Sequence, residues 1–398
     1  MIEVRLEDDR RAEADHPLRS TVVGVLVHNE DPTVETCLRA ILAERDGEVS
    51  VRSVLVVASG CTDRTVEIVR SVAEDDPRVR LIVEAERTGK AAAINLLLRE
   101  SSDPIVVVIG GDVVFTPGSL TRLLEPFRDP GVGMTGVRPI PTNARSGLVG
   151  NAVNIVWDLH HELSLHRPKL GEAVAFRRVL QSIDRGTLVD EAVMEGVIVA
   201  SGLQLRYIPG AVVRNHGPET VREFMAQRTR IYEGHLALAA STGYRVSSMD
   251  VGTTARVAWR LWRRGTSLRY LLAAAVLEAV ARSRARLSHA RGRRPHNGVW
   301  HPLATSKRVI ANGHVLRSHH DRVETLDLGQ VNSRHARSML ARVRQLLRAE
   351  DRIKIDRGRL IVKFRGDAAG AHAVRTRLAS ELPAFEETTS EAPKSGGV

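Results

Sequence analysis

Cysteine is nearly absent from this 398-residue chain, which holds only Cys37 and Cys61. Two thiols supply neither a disulfide framework nor a metal-ligand cluster, and they fit a reducing compartment. No apolar run reaches the length of about 18 residues that a spanning helix needs, so no membrane-crossing segment is expected. The opening MIEVRLEDDRRAEADHP is charged throughout and reads as no signal peptide. Acids are scarce in one segment alone. From Arg256 to Arg317 there are 14 lysines and arginines against one acid, Glu278, a local charge of +13. The remainder, with 44 bases and 46 acids, sums to −2, so the basic segment and the rest of the chain have different work. With 43% hydrophobic residues, there is material for one large core and at least one smaller domain.

The first part alternates between strand and helix patterns. TVVGVLV (Thr21–Val27) reads as a strand and DPTVETCLRAILAE as a helix, with Asp31 as N-cap, Pro32 as first helical residue and Val34, Cys37, Leu38, Ile41 and Leu42 on one apolar face. SVLVVA (Ser53–Ala58), VRLIVE (Val79–Glu84) and VVVI read as further strands, and TDRTVEIVRSVAE and GKAAAINLLL as the helices between them. Strands separated by helices predict a doubly wound, Rossmann-like α/β fold with a parallel sheet. Ligands in such sheets sit beyond the carboxyl ends of the strands. HNE (His28–Glu30), SGCTD (Ser59–Asp63), ERTGK (Glu86–Lys90) and the GGD that ends in Asp112 all fall on that rim.

Taken singly, each loop has a plain reading. SGCTD is a turn followed by a helix cap, and ERTGK a solvated loop relieved by a glycine. Asp112 is harder to dismiss, because a strand buried on both faces has no packing use for a charge. The two glycines before it let the backbone approach a ligand closely. His160 and His161 in DLHHELS point about 100° apart on a helix and do not chelate together, and His216 reads as a polar loop histidine.

These motifs together resemble the family 2 nucleotide-sugar glycosyltransferases with a GT-A fold. GVLVHNE is similar to the family's opening strand and YNE, with His28 in the Tyr place; VVASGCTDRT is similar to VVDDGSTDxT; GKAAAIN (Gly89–Asn95) matches GKAxAxN. GGD is similar to the DxD metal motif, with only Asp112 retained. Farther on, GEAVAFRR (Gly171–Arg178) looks like the acceptor-side segment, VDEAVMEG carries the acidic pair Asp190 and Glu191, and QRTRI (Gln227–Ile231) is similar to QxxRW. The likeness covers roughly residues 20 to 245. Three positions depart from the family: Ala58 stands where it usually has a base-binding Asp, Gly110 replaces the first DxD carboxylate, and Ile231 replaces the Trp.

The resemblance implies a nucleotide-sugar donor held by His28, Glu30, Ser59, Lys90, Asp112, Gln227 and Arg230, with Mg²⁺ or Mn²⁺ on Asp112 and the diphosphate. It implies Glu191 as general base with Asp190 supporting it, and an inverted product if transfer is a single displacement. The residue types suit the chemistry. A departing diphosphate gathers negative charge, which a hard cation on carboxylate oxygens and fixed cations such as Lys90 and Arg230 stabilise. Gln227 and Arg230, three apart, share a helix face. The acceptor must lose a proton, for which a carboxylate is a suitable base. Without the resemblance, Asp190 and Glu191 would simply open a helix.

The chain after Ser247 reads as helix, with about a dozen apolar residues from Tyr270 to Ala281, arginines on both sides and Trp259 and Trp262 nearby. It suits a helix lying on an anionic membrane surface; a packed helix with a solvated basic face is the bland alternative, and nucleic acid ranks last because no recognisable module accompanies the charge. VETLDL, IKID and RLIVKF read as strands of a small α/β appendage, with SRHARSMLARVRQLLRAE and AAGAHAVRTRLASEL as its helices. Its faint likeness to the end of a diguanylate-cyclase fold lacks the GGDEF signature.

The expected organisation is a charged tail over residues 1–20, a glycosyltransferase domain over 21–246, a basic helical segment over 247–317, the appendage over 320–384 and a disordered tail over 385–398. The expected function is sugar transfer to a polysaccharide or lipid-linked acceptor in cell-envelope synthesis. The expected location is cytoplasmic, peripheral on the inner face of the membrane. Two other classes stand beside it: a degenerate scaffold that keeps the fold without turnover, and a sugar nucleotidyltransferase, whose glycine-rich opening loop with Arg and Lys is missing.

Overall fold

The structure, a computed structural model, describes residues 21–44 and 51–291 and, beyond them, the backbone of three strands. The chain divides into two compact units, Met1–Val315 and Leu316–Val398.

In the first unit, β1 (Thr21–Val27), β2 (Val51–Ser59), β3 (Val79–Glu84) and β4 (Ile105–Gly110) pair in parallel in the order β3-β2-β1-β4. Helices α1 (Val34–Leu42), α2 (Thr65–Asp75) and α3 (Lys90–Glu100) make the crossovers. Side chains on a strand alternate between faces, and the strands divide accordingly. Val23, Val25, Val54 and Val56 face the core with Cys37, Leu38, Ile41, Val69 and Val72 of α1 and α2. Val22, Leu26, Leu55 and Val57 face Ile94, Leu97 and Leu98 of α3. Helices on both faces are what a doubly wound sheet requires. One expected detail differs: α1 begins at Val34, not Pro32, and Asp31 is not its cap. The amides of Thr33 and Val34 instead close a turn on the Glu30 carbonyl at 3.0 and 2.9 Å.

The second half departs from an all-parallel sheet. After β5 (Val114–Phe115) and α4 (Ser119–Leu124) come β6 (Val132–Pro141), α5 (Gly147–Ser164), β7 (Ala173–Arg177), α6 (Asp190–Ala200) and β8 (Gln204–Asn215). β7 returns from the far end after α5, so it runs antiparallel to both β4 and β6, while β6 and β8 are parallel. The full order is β3-β2-β1-β4-β7-β6-β8-β5, an eight-stranded mixed sheet.

Among its described residues the basic segment forms two α-helices. α7 (Val221–Thr242) is followed by α8 (Val251–Arg263) and α9 (Leu268–Ala290), and the chain breaks at Gly265, whose φ of 97° suits glycine. Leu271, Ala274 and Ala281 of α9 pack with Val153 of α5 and Phe224 of α7. Among the described residues no helix is long and apolar enough to cross a membrane.

In the second unit, β9 (Val323–Gln330), β10 (Arg352–Asp356) and β11 (Arg359–Arg365) form an antiparallel sheet in the order β10-β11-β9. These match the three strands expected there. The helices expected around them, and both terminal tails, lie outside the described residues.

Candidate active site

The carboxyl ends of β1, β2 and β4, the start of α3 and the first turn of α6 open into one cavity of about 740 Å³. His28, Glu30, Ser59, Lys90 and Asp112 line it from the sheet side. Asp190 and Glu191 on α6, and Gln227 and Arg230 on α7, line it from the other. The seven expected donor-binding residues and the acidic pair therefore line the same space.

The rim is built by side chains that tie the loops to one another. Asn29, held at a φ of 56°, accepts the Thr62 amide at 2.7 Å and donates to the Thr62 hydroxyl at 3.1 Å. Asp63 accepts from the Thr65 amide at 3.0 Å and from the Asp31 amide at 3.2 Å, while the Glu30 amide donates to the Thr65 hydroxyl at 2.7 Å. Asp63 thus closes a turn on Thr65 just before α2, whose N-cap is Arg64, and it also clamps the first loop. Ser59 accepts the Thr88 amide on its hydroxyl at 3.0 Å, and its carbonyl accepts from His28 Nδ1 at 2.8 Å. That bond fixes the His28 proton on Nδ1, because a carbonyl only accepts.

Asp112 follows two glycines, each with its own reason. A Cβ on Gly111 would lie 2.5 Å from Val27 Cγ1, and one on Gly110 would lie 2.7 Å from Asp112 Oδ1. The Asp112 carboxylate thus occupies the space that a side chain at Gly110 would fill. Among the described residues no group of three His, Cys, Asp or Glu is placed to hold a metal ion. Asp112 is a single hard ligand, the donor set that suits Mg²⁺ or Mn²⁺ when substrate phosphates and water complete the shell.

Lys90 opens α3 after Gly89, whose φ is 94°, so the positive end of that helix faces the cavity. Its ammonium donates to Glu191 Oε1 at 2.5 Å. Burial opposes the charged forms of both, but their mutual attraction prevails: Lys90 is held above its ordinary pKa and Glu191 below its own. Asp190 differs. Burial pushes it up to about 7, and its Oδ1 has no hydrogen-bond partner. Burial also lowers Arg230 to about 10, against the pull of Asp190, Glu191 and Glu172.

Glu172 was missed as a site residue, although its segment was singled out. It lines the cavity with a φ of 63°, a left-handed conformation that costs a residue with a side chain about 1–3 kcal/mol. Burial, then the charge of Asp112, pushes its carboxyl up to about 7. No sequence pattern announces that backbone strain. The faint signal was a carboxylate directly before the buried strand β7, much as Asp112 stands two residues after β4.

The three departures also find their places. Ala58 is fully buried in the core with α1 and α2, one residue out of phase with Val57 and Ser59, which line the cavity. Gly110 and Ile231 lie on the cavity wall.

Residues 22–177 match the family described as Glycosyl transferase family 2. An N-acetylglucosaminyltransferase of Rhizobium leguminosarum bv. viciae is 24% identical over 236 residues, covering 54% of this chain and 55% of that protein. A second, from Bradyrhizobium elkanii, is 35% identical over 118 residues, 29% of this chain and 64% of that protein. The chain thus spans little more than half the length of the curated relatives it matches. Among solved structures, a mannosyltransferase from Pyrobaculum calidifontis, in complex with GDP-Man and Mn²⁺, is 25% identical with a TM-score of 0.48, covering 69% of this chain and 79% of its own. Over residues 22–177, then, the chain is similar to glycosyl transferase family 2.

Proposed function

We propose that the cavity binds a nucleotide-diphosphate sugar and transfers the sugar to a polysaccharide or lipid-linked acceptor. The observation that carries this reading is the placement of Asp112, Lys90 and the Asp190–Glu191 pair around one cavity at the carboxyl ends of the parallel strands. His28, Glu30, Ser59, Gln227 and Arg230 complete the donor site. Asp112 would hold Mg²⁺ or Mn²⁺, which when bound supplies positive charge to the diphosphate.

The roles follow from the charges. Lys90 and Arg230 neutralise the leaving diphosphate as the bond from the anomeric carbon to the phosphate oxygen breaks, its electron pair staying on that oxygen. The acceptor oxygen forms the new bond, and its proton passes to Glu191; as a single displacement this inverts the anomeric carbon. In the free protein Lys90 occupies Glu191. A diphosphate competes for the same ammonium, and losing that partner raises the basicity of Glu191 when donor is present. A second assignment has one observation in its favour: Asp190, with an unpartnered oxygen and a pKa of about 7, is closer to the ideal of a base poised near neutral pH.

A thermal-shift panel of nucleotide sugars with and without Mn²⁺ tests the reading. Metal-dependent stabilisation by one donor supports it and names base and sugar together. No response to any donor favours a scaffold without turnover, the reading that Ala58 and Gly110 motivate.

The same proposal extends to location. α8 and α9 leave Trp259, Trp262, Leu272 and Val276 exposed, at 53, 47, 58 and 61%, among arginines, with Arg263 4.8 Å above the Trp259 ring. Apolar side chains and tryptophans set among arginines suit the surface of an anionic membrane. Co-sedimentation with anionic vesicles, neutral vesicles and duplex DNA tests this. Anionic vesicles should pellet the protein and lose it as salt rises; binding to neither vesicle leaves a solvated basic face, and binding to DNA alone turns the assignment to nucleic acid.

A further inference from the structure

The cavity does not stop at the acidic pair. Beyond α6 it continues between α5, α7 and α9, where the walls change character: Val153, Val156, Leu163, Phe224 and Leu271 make them apolar. Set into those walls is a group of cations, Lys169, Arg228, Arg282 and Arg286.

Their partners do not match them in number. Arg228 and Arg282 share one carboxylate, Glu278. Arg282 also donates to the Ser248 carbonyl at 3.2 Å and lies 5.2 Å from the centre of the Tyr232 ring, while Arg286 donates to the Tyr232 hydroxyl at 3.1 Å. The ammonium of Lys169 makes no hydrogen bond or ion pair with any described residue. The nearest other acid, Glu195, is fully buried and already engaged by the Leu170 amide at 2.5 Å and the Tyr244 hydroxyl at 2.9 Å. Burial and these charges act on every titratable group that faces the chamber. Lys169 is pushed down to about 8 by burial, then by Arg228. His160 and His235 are both lowered by burial, then by Lys169 and Arg228, and Glu195 is pushed up to about 7 by burial. An uncompensated cation in an apolar chamber is costly unless an anion arrives to pair with it.

We propose that this chamber is a binding site for an amphiphile with a phosphate head, the head held by Lys169 with Arg228 and Arg282 and the apolar chain lying against α5, α7 and α9. Resting on the transferase reading, this makes the acceptor an amphiphilic phosphate rather than a neutral glycan, because the chamber is continuous with the Asp190–Glu191 end.

The test uses the full chain and three probes in calorimetry: decyl phosphate, decanol and inorganic phosphate. Decyl phosphate is expected to bind about tenfold or more tighter than either of the others, the worth of one charge-assisted hydrogen bond beyond the chain's burial. Lys169→Gln should lose about tenfold for decyl phosphate, keep its response to decanol and to nucleotide sugars, and melt no lower than the parent, since it removes an unpaired charge. Lys169→Arg should retain binding. Equal binding of decyl phosphate by parent and Lys169→Gln overturns the proposal, as does decanol or inorganic phosphate binding as tightly as decyl phosphate. If no nucleotide sugar stabilises the parent while decyl phosphate binding still depends on Lys169, the transferase reading falls and the amphiphile site stands.

Discussion

The two ends of the cavity are charged in opposite senses. At the sheet end five carboxylates, Glu30, Asp112, Glu172, Asp190 and Glu191, face three permanent cations, Arg87, Lys90 and Arg230. At the helical end stand four cations, Lys169, Arg228, Arg282 and Arg286, of which Arg228 and Arg282 share the carboxylate of Glu278. An acid-rich end suits a cation and a group that must lose a proton; a base-rich end suits an anion. The sheet end relieves its crowding internally, through the Lys90–Glu191 pair and through protons kept on Asp190 and Glu172. The helical end relieves only part of its own, through Glu278 between Arg228 and Arg282, and the Lys169 ammonium makes no hydrogen bond or ion pair with a described residue. One continuous space therefore has two ends of opposite charge, a separation that the net charge of the chain conceals.

Substitutions at each end sharpen that contrast. The largest effect is expected at Asp112: Asp112→Ala should abolish metal-dependent donor binding and cut transfer by about 10³-fold, several kcal/mol of charge stabilisation, with the melting temperature unchanged. Unchanged metal dependence in a donor titration would return Asp112 to a turn residue. Next, Glu191→Gln should keep donor affinity and lower transfer to a neutral hydroxyl acceptor by about 10²-fold or more, whereas an acceptor phosphate, already ionised, needs no base and should be transferred to at close to the parent rate. A rate equal to the parent would mean that the acceptor arrives already ionised, as a phosphate does, and would move weight to the helical end.

Glu278→Gln breaks the charge compensation of the helical end only. Leaving two arginines without their shared carboxylate should cost about 3 kcal/mol and lower the melting temperature by several degrees. Added inorganic phosphate should recover part of that loss, and an equal loss with and without phosphate would deny that the helical end takes anions.

The sheet end has a pH signature of its own. Asp190 and Glu172 keep their protons to about pH 7, against ordinary values of 3.8 and 4.5. Between about pH 4 and 7 the unfolded chain holds fewer protons than the folded one, so stability should fall as pH rises across that window and level off above it. Asp190→Asn should flatten the slope in chemical denaturation. The smallest effect is expected at Gly110→Ala, whose Cβ would lie 2.7 Å from Asp112 Oδ1 and push the carboxylate aside. Metal-dependent donor binding should weaken a few-fold with the fold intact; no change would mean that the carboxylate has room to spare.

The four strands of the parallel half were legible because each is a short apolar run between turn residues. The loops that carry HNE, GGD and the GKAAAIN lysine were legible for a related reason: polar residues directly after buried strands have few structural uses. The antiparallel pairing of β7 was not legible, since AVAFR is as apolar as the parallel strands and its direction depends on where α5 leaves the chain. The break at Gly265 was marked only by one glycine within a helical pattern, and the left-handed Glu172 by nothing.

By itself the sequence determined which residues form the sheet end and which segment holds the basic charge, because burial, turn chemistry and charge density act over a few neighbouring residues. Only the tertiary structure decided that Lys90 meets Glu191 across 101 positions, that Ala58 faces the core and not the cavity, and that Lys169 stands near Arg228 of α7 and Arg282 of α9. Electrostatic energies depend on distance and on exclusion of water, and neither can be read from separation along the chain.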